Sequence, residues 1–246
     1  MSIRASHNGA LGNRLLDAMP ELARERLRPA LEFVALDSNQ TIHEPGETAE
    51  HVFFPLQGLI SMVAMMEDGT SVEIGMIGKE GMFPVSAILG DDRPSQRAMV
   101  QLPGNGLRMP SRLLQQEALT DAALQLLLLR YVQLTLSTAA QTAACNRLHV
   151  LEERCARWLL SAHDRAESNI FPMTHDFLSM MLGVRRPGVT IAVQSFRDSG
   201  MISYNHGTMS ILDRNGLEAA SCECYRIIQD ESKRLVGSPL AMVAAL

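Results

Sequence analysis

The spacing of apolar positions changes along the chain, and each change marks a new element. Residues 15–31 read as one or two short helices, interrupted at Pro20 and ended near Pro29, because proline breaks the helical ladder. From about Phe33 to Met109 the apolar residues come in short alternating runs between turn groups: Glu44-Pro45-Gly46-Glu47, Gln57-Gly58, Glu67-Asp68-Gly69, Gly78-Lys79-Glu80-Gly81 and Pro103-Gly104-Asn105-Gly106. Turns at such intervals predict an antiparallel barrel or jelly roll. Residues 111–145 contain no glycine or proline and read as one long helix. Leu124, Leu127, Leu128, Tyr131, Leu134, Thr135 and Thr138 recur on one broad face of it, which we expect to serve a dimer. The other reading is a face buried on the chain's own barrel. A further helix spans 147–165, with Asn146 as the expected hinge, and residues 217–235 read as a closing helix.

Residues 174–212 carry the densest functional pattern. Thr174 is a good N-cap, and Phe177, Leu178, Met181 and Leu182 form an apolar face that stops at Gly183. In the next helix Val189, Ala192, Val193 and Phe196 face inward, leaving Arg185, Arg186, Thr190, Gln194 and Arg197 outward, with Pro187 in the first turn. Arginine bonds a guanine edge in two places, glutamine an adenine edge, and threonine a phosphate or a thymine methyl. Two alternating runs, 201–204 and 208–212, flank Asn205-His206-Gly207 and predict a hairpin. The segment therefore reads as a winged helix-turn-helix. Its expected contacts to duplex DNA are Thr174, His175, Arg185, Arg186, Thr190, Gln194, Tyr204 and His206.

The fold class is thus α+β in two domains, a β jelly roll joined by a long helix to a winged helix-turn-helix. The expected divisions are 1–110, 111–146, 147–214 and a C-terminal helix and tail at 215–246. Charge sharpens this picture. The net charge of −5 argues against indiscriminate binding to polyanions. Residues 1–146 hold 11 Lys or Arg against 16 Asp or Glu, whereas 147–214 hold 8 against 7, so the less acidic part is where DNA contact is expected. No apolar run reaches the length of a membrane span, and the first 13 residues show no signal peptide, so a cytoplasmic protein is expected. Cys145, Cys155, Cys222 and Cys224 are expected as free thiols. Cys222-Glu223-Cys224 is not a spacing typical of structural zinc, and no metal site is expected. Ser86, Ser179 and Ser195 lack a nucleophile-elbow setting and no phosphate-binding glycine loop follows a strand, so no enzyme is expected.

With these elements in order, the chain resembles the Crp-Fnr transcription regulators. The resemblance is carried by Glu44 to Glu47, Val52-Phe53-Phe54-Pro55-Leu56-Gln57-Gly58, Glu67-Asp68-Gly69 and the stretch from Gly78 to Phe83, followed by the long helix and the winged helix-turn-helix. It implies a homodimer whose cyclic-nucleotide-binding-like barrel repositions the DNA-binding domains through the central helix, with RNA polymerase as a partner. It also implies an effector pocket near Gly81, Val85, Ser86, Arg97 and Met99 and a dimer helix using Leu124, Leu127, Tyr131, Leu134 and Thr138.

The departures are informative. Pro84-Val85 stands where nucleotide-binding members carry Gly-Glu, Arg97 lies one position from the expected phosphate arginine, and Ala139 and Ala140 replace central-helix hydroxyls. Cyclic AMP is therefore not the expected effector. Met62, Met65, Met66, Met76, Met82 and Met99 read as core filling, with a more apolar or closed pocket as the other reading. No cysteine precedes Cys145, which disfavours an iron-sulfur cluster, while haem through His43 or His51 stays open. In the recognition helix Pro187 and Ile191 replace a glutamate and an arginine of the family pattern. No cofactor is predicted and the effector is unknown. The expected function is a dimeric, sequence-specific regulator on a pseudo-palindromic operator. The alternative is a ligand-binding or protein-interaction module that does not bind DNA specifically.

Overall fold

The computed structural model describes residues 10–166 and 168–237. The ends of the two outer segments, 1–9 and 238–246, lie outside the described residues. Helices α1 (Arg14–Asp17) and α2 (Glu21–Leu27) precede strands β1 (Glu32–Leu36), β2 (Thr41–His43), β3 (His51–Met65), β4 (Ser71–Ile77) and β5 (Arg97–Pro110). These five form one antiparallel sheet in the order β1-β5-β3-β4, with β2 added on β5. The 15-residue β3 and 14-residue β5 bend at register shifts around Gln57 and Leu59. Gly58 sits at one shift with φ +89°, where a Cβ would lie 2.5 Å from the Leu102 carbonyl oxygen, so only glycine fits there.

The long helix of the sequence reading is two helices. After α3 (Ser111–Thr120), Asp121 is extended at φ −122° and ψ 100°, and its carboxylate accepts from the Ala123 and Leu124 amides at 3.1 and 3.0 Å to cap α4 (Ala122–Leu148). The break lacks glycine and proline, so composition hid it. An aspartate favours a cap for the same reason it weakens a helix interior: its side chain competes for backbone amides.

Leu124, Leu127, Leu128, Tyr131 and Leu134 are buried in the core that joins α1, α2, β3 and β5. The expected dimer face thus packs on its own chain. Tyr131 fixes the register, its hydroxyl accepting from the Met82 amide and donating to the Met82 carbonyl, each at 2.9 Å. A Cβ on Gly81 would collide with that phenol. The side of α4 left exposed carries Leu129, Leu136, Ala139, Ala140 and Ala143.

The hinge falls at His149 and Val150, where His149 is extended, and not at Asn146, which is still helical. Then follow α5 (Leu151–Ala166), β6 (Ile170–Pro172), α6 (His175–Leu182), α7 (Arg186–Asp198), β7 (Ile202–Asn205), β8 (Thr208–Ile211), α8 (Arg214–Ala219) and α9 (Cys224–Val236). The expected closing helix is two helices, and β6 adds a third strand beside β8 that its three residues did not announce. One apolar core runs from Leu59, Val63 and Leu102 of the barrel through Trp158 and Leu159 of α5 to Val189 and Phe196 of α7. The two domains share that core.

Candidate nucleic-acid interface and effector cavity

The helix-turn-helix follows from local rules. Thr174 Oγ1 accepts from the Phe177 amide at 3.1 Å, capping α6, and Gly183 ends it in the left-handed conformation at φ +63°. Pro187 lies in the first turn of α7, where no amide is needed. Val189, Ala192, Val193 and Phe196 are buried, which turns Arg185, Arg186, Thr190, Ile191, Gln194 and Arg197 to the outside. The wing is β7 and β8 joined through His206 and Gly207, at φ +45° and +81°. Two consecutive positive φ values match the right-handed twist of a hairpin.

These elements bring the expected contact residues onto one surface. Arg186 Nε lies 3.3 Å from Asp176, and both are exposed. Such a pair is worth at most about 1 kcal/mol, so the arginine is readily given up to DNA. His175 pairs with Thr190 Oγ1 at 3.1 Å and stacks on Tyr204, ring centroids 4.4 Å apart. Burial, then the Arg186 charge, holds His175 below the ordinary histidine value, which favours the neutral ring in that stack. Gln194 donates to Asp198 at 2.6 Å and accepts from Arg197 at 3.1 Å. Ile191, which stands where the family pattern has an arginine, is 66% exposed at the middle of this face. An apolar side chain there suits a thymine methyl.

The effector region is assembled differently. A cavity of about 350 Å³ lies between the barrel, α4 and the inner face of α9. Val85 and Ser86 line it, whereas Gly81, Arg97 and Met99 do not. On β3 and β5, Met62 pairs with Ala98 and faces the cavity. Alternation then turns Arg97 and Met99 to the opposite face. The one-position displacement of the arginine is therefore a change of face. Arg97 Nη2 meets Glu44 at 2.9 Å and Thr41 Oγ1 at 3.2 Å. Its partners are already in place on that side. Neither His43 nor His51 lines the cavity, and His43 Nε2 pairs with the Pro94 carbonyl at 3.2 Å.

A charged pair closes the cavity. Arg165 of α5 reaches Glu80 of the barrel, with Nη2 and Nε at 2.6 and 2.8 Å from the same oxygen, and the two side chains are only 14% and 18% exposed. Burial raises the Glu80 carboxyl, but the Arg165 charge outweighs it and holds the group below its ordinary value. Ser86 Oγ is buried without a partner among the described residues. Beside the cavity, Glu73 of β4 accepts from Trp158 Nε1 of α5 at 3.0 Å and from Ser61 Oγ at 2.7 Å. The Ser61 hydroxyl also touches Gln101 Oε1. Burial pushes the Glu73 carboxyl up to about 7, against hydrogen bonds from Ser61 and Trp158 and the charges of Arg157 and Arg165. Two long-range pairs, neither visible as a motif, thus tie the barrel to the DNA-binding domain.

Three of the four cysteines meet a histidine where α9 lies along α4. The donor atoms of Cys145, His149, Cys222 and Cys224 lie within 4.8 Å of one another. Cys155 stands apart from this group, wholly buried on α5 in the core shared by the two domains. Sequence spacing missed the group because its halves are more than 70 residues apart and meet only when α9 packs along α4.

Comparison with known proteins agrees with this architecture. Residues 33–121 match the model of the cyclic nucleotide-binding domain and residues 153–220 that of the Crp-like helix-turn-helix domain. The global nitrogen regulator of Synechocystis sp. is 24% identical over 192 residues, covering 74% of this chain and 84% of that one. Its counterpart in Nostoc sp. is 22% identical over 207 residues, covering 80% and 92%. The structure of FixK2 from Bradyrhizobium japonicum superposes with a TM-score of 0.67 at 16% identity, covering 78% of this chain and 98% of that one. The chain belongs to the Crp-Fnr regulators and is a DNA-binding transcription regulator. Its relatives are regulators, not enzymes. Among the described residues no helix is long and apolar enough to cross a membrane.

Proposed function

We propose that the chain acts as a homodimer that reads a pseudo-palindromic operator and answers to an effector other than a cyclic nucleotide. The observation that carries the DNA reading is α7, whose inner face is locked in the core while Arg185, Arg186, Thr190, Ile191 and Gln194 stand exposed together. His175 and Tyr204 brace that face and His206 tips the wing toward the adjoining phosphates. Thr174 serves through its cap. In a dimer the two α7 helices enter successive major grooves roughly 34 Å apart. Leu129, Ala140 and Ala143 mark the side of α4 free to meet a second copy, whereas Leu136 and Thr138 line the cavity.

The effector is a small, largely apolar molecule with one polar group for Ser86 and Arg165, since Glu80 and Arg165 are the charged groups of the cavity wall. Entry there bears on the Glu80–Arg165 pair, and through α5 on the orientation of α7. RNA polymerase is the partner that converts operator binding into output. Selection from a random duplex pool tests the reading. A two-fold-related motif is expected, with half-sites about one helical turn apart. A pool that yields no repeated motif favours the protein-interaction module instead.

A further inference from the structure

We infer that Cys145, His149, Cys222 and Cys224 form a tetrahedral Cys3His site for a zinc-type divalent cation, placed at the hinge between α4 and the DNA-binding domain. Zinc takes sulfur at about 2.3 Å and nitrogen at about 2.0–2.1 Å, so the edges of its tetrahedron run about 3.5–3.8 Å. The Cys145 and Cys222 sulfurs are 3.5 Å apart, and the Cys224 sulfur is 3.6 Å from His149 Nδ1. Two edges of the tetrahedron are thus already drawn by the protein.

The surroundings point the same way. The ring that offers Nδ1 to the sulfurs turns its Nε2 to the Glu223 carboxylate at 3.2 Å. A carboxylate behind a metal-bound imidazole fixes its tautomer and raises its basicity. Gln141 donates to the Cys224 sulfur at 3.0 Å, a bond that suits a thiolate better than a thiol. All three cysteines are buried, with relative exposures of 5% or less, so the site is closed, as structural zinc sites are. The spacing also makes mechanical sense. Cys145 and His149 are one turn apart at the end of α4, and Cys222 and Cys224 flank the start of α9. A bound cation pins those ends together two residues before α5 begins, and α5 carries both Trp158 and Arg165 to the barrel.

The test uses the full chain, reduced, stripped of metal and titrated with Co(II) and then Zn(II) alone. One Co(II) per chain is expected, with the intense visible bands of a tetrahedral ion and thiolate-to-metal charge transfer in the near ultraviolet, bleached by one equivalent of Zn(II). Cys222→Ser and Cys224→Ser should each lower the charge-transfer intensity, as one of three thiolates is lost, and weaken Zn(II) affinity at least about 100-fold. Glu223→Gln should keep the stoichiometry and spectrum while weakening affinity about 10- to 100-fold, the usual effect of losing such a partner. Cys155→Ala, which leaves the group intact, should match the parent.

Four outcomes overturn the inference: no stoichiometric uptake by the folded, reduced parent; a weak octahedral spectrum; a His149→Ala variant that binds as well as the parent; or loss of binding in Cys155→Ala equal to that in Cys222→Ser. Circular dichroism of each metal-free variant separates a missing ligand from a missing fold.

Discussion

The reading surface on α7 and the cavity under α4 are both built from a handful of side chains, but they are built on different length scales. The surface comes from one helix and its neighbours, residues 174 to 206, with its side chains exposed and held by contacts of low cost. The cavity is closed by groups from the barrel, α4, α5 and α9, and its one charged pair joins the two domains. Substitution on the surface should change what is recognised and leave the fold intact. Substitution at the cavity should change how the domains hold each other.

Arg165→Met offers the largest expected break in that contrast. Removing the guanidinium leaves Glu80 largely buried with no partner charge, which in comparable sites costs about 3–5 kcal/mol. The urea midpoint should fall accordingly, and adding Glu80→Gln should recover much of the loss, because both charges are then gone. A single-variant loss below about 1 kcal/mol would mean that water already screens the pair.

Glu73→Gln should show a smaller effect of opposite sign that depends on pH. In the folded chain Glu73 keeps its proton up to pH about 7, while the unfolded chain releases it near 4.5. Between these values the folded state binds more protons, so stability falls as pH rises, and the protonation benefit is complete only below 4.5. The cost of the ionised group above pH 7 is on the order of 3 kcal/mol. Glu73→Gln, which cannot ionise, should therefore gain on the parent at pH 8 and lose that advantage at pH 5. Parallel stability profiles for the two proteins across that window would show that Glu73 ionises freely.

Arg186→Ala tests the other side of the comparison. It should cost about 1–3 kcal/mol in operator affinity if it reads a base, with unfolding changed by less than about 0.5 kcal/mol, because its pair with Asp176 is exposed. Unchanged affinity together with an unchanged salt slope would remove Arg186 from the interface.

The same difference in length scale explains what the sequence revealed. Thr174, Gly183 and Pro187 mark helix ends by chemistry that acts within one turn, so α6, α7 and the wing were readable from neighbours alone. The strands were readable from their turns. Arg97 illustrates the limit: a shift of one residue in a strand selects the other face, and only the pairing decides which face is inside. The apolar stripe of α4 was visible while its partner was not, since helix periodicity is the same whether the stripe meets a barrel or a second chain. Glu73 with Trp158, Glu80 with Arg165, and the Cys145 group each join residues some 70 to 85 positions apart. Such pairs leave no local spacing to find.

Thr174 sits where the two length scales meet, and gives the finest test. It was expected at the DNA, yet its hydroxyl accepts from the Phe177 amide and so belongs to the fold of α6. Thr174→Ala should lower stability by about 1 kcal/mol, the usual value of an N-cap, and lower operator affinity by only a few fold through a frayed α6. Thr174→Ser, which keeps the oxygen, should restore both within about 0.5 kcal/mol. The comparison turns on whether the two quantities move together. If operator affinity fell more than about tenfold in Thr174→Ala while the unfolding midpoint held, the hydroxyl would be touching a phosphate, and the reading surface would extend from α7 onto the start of α6.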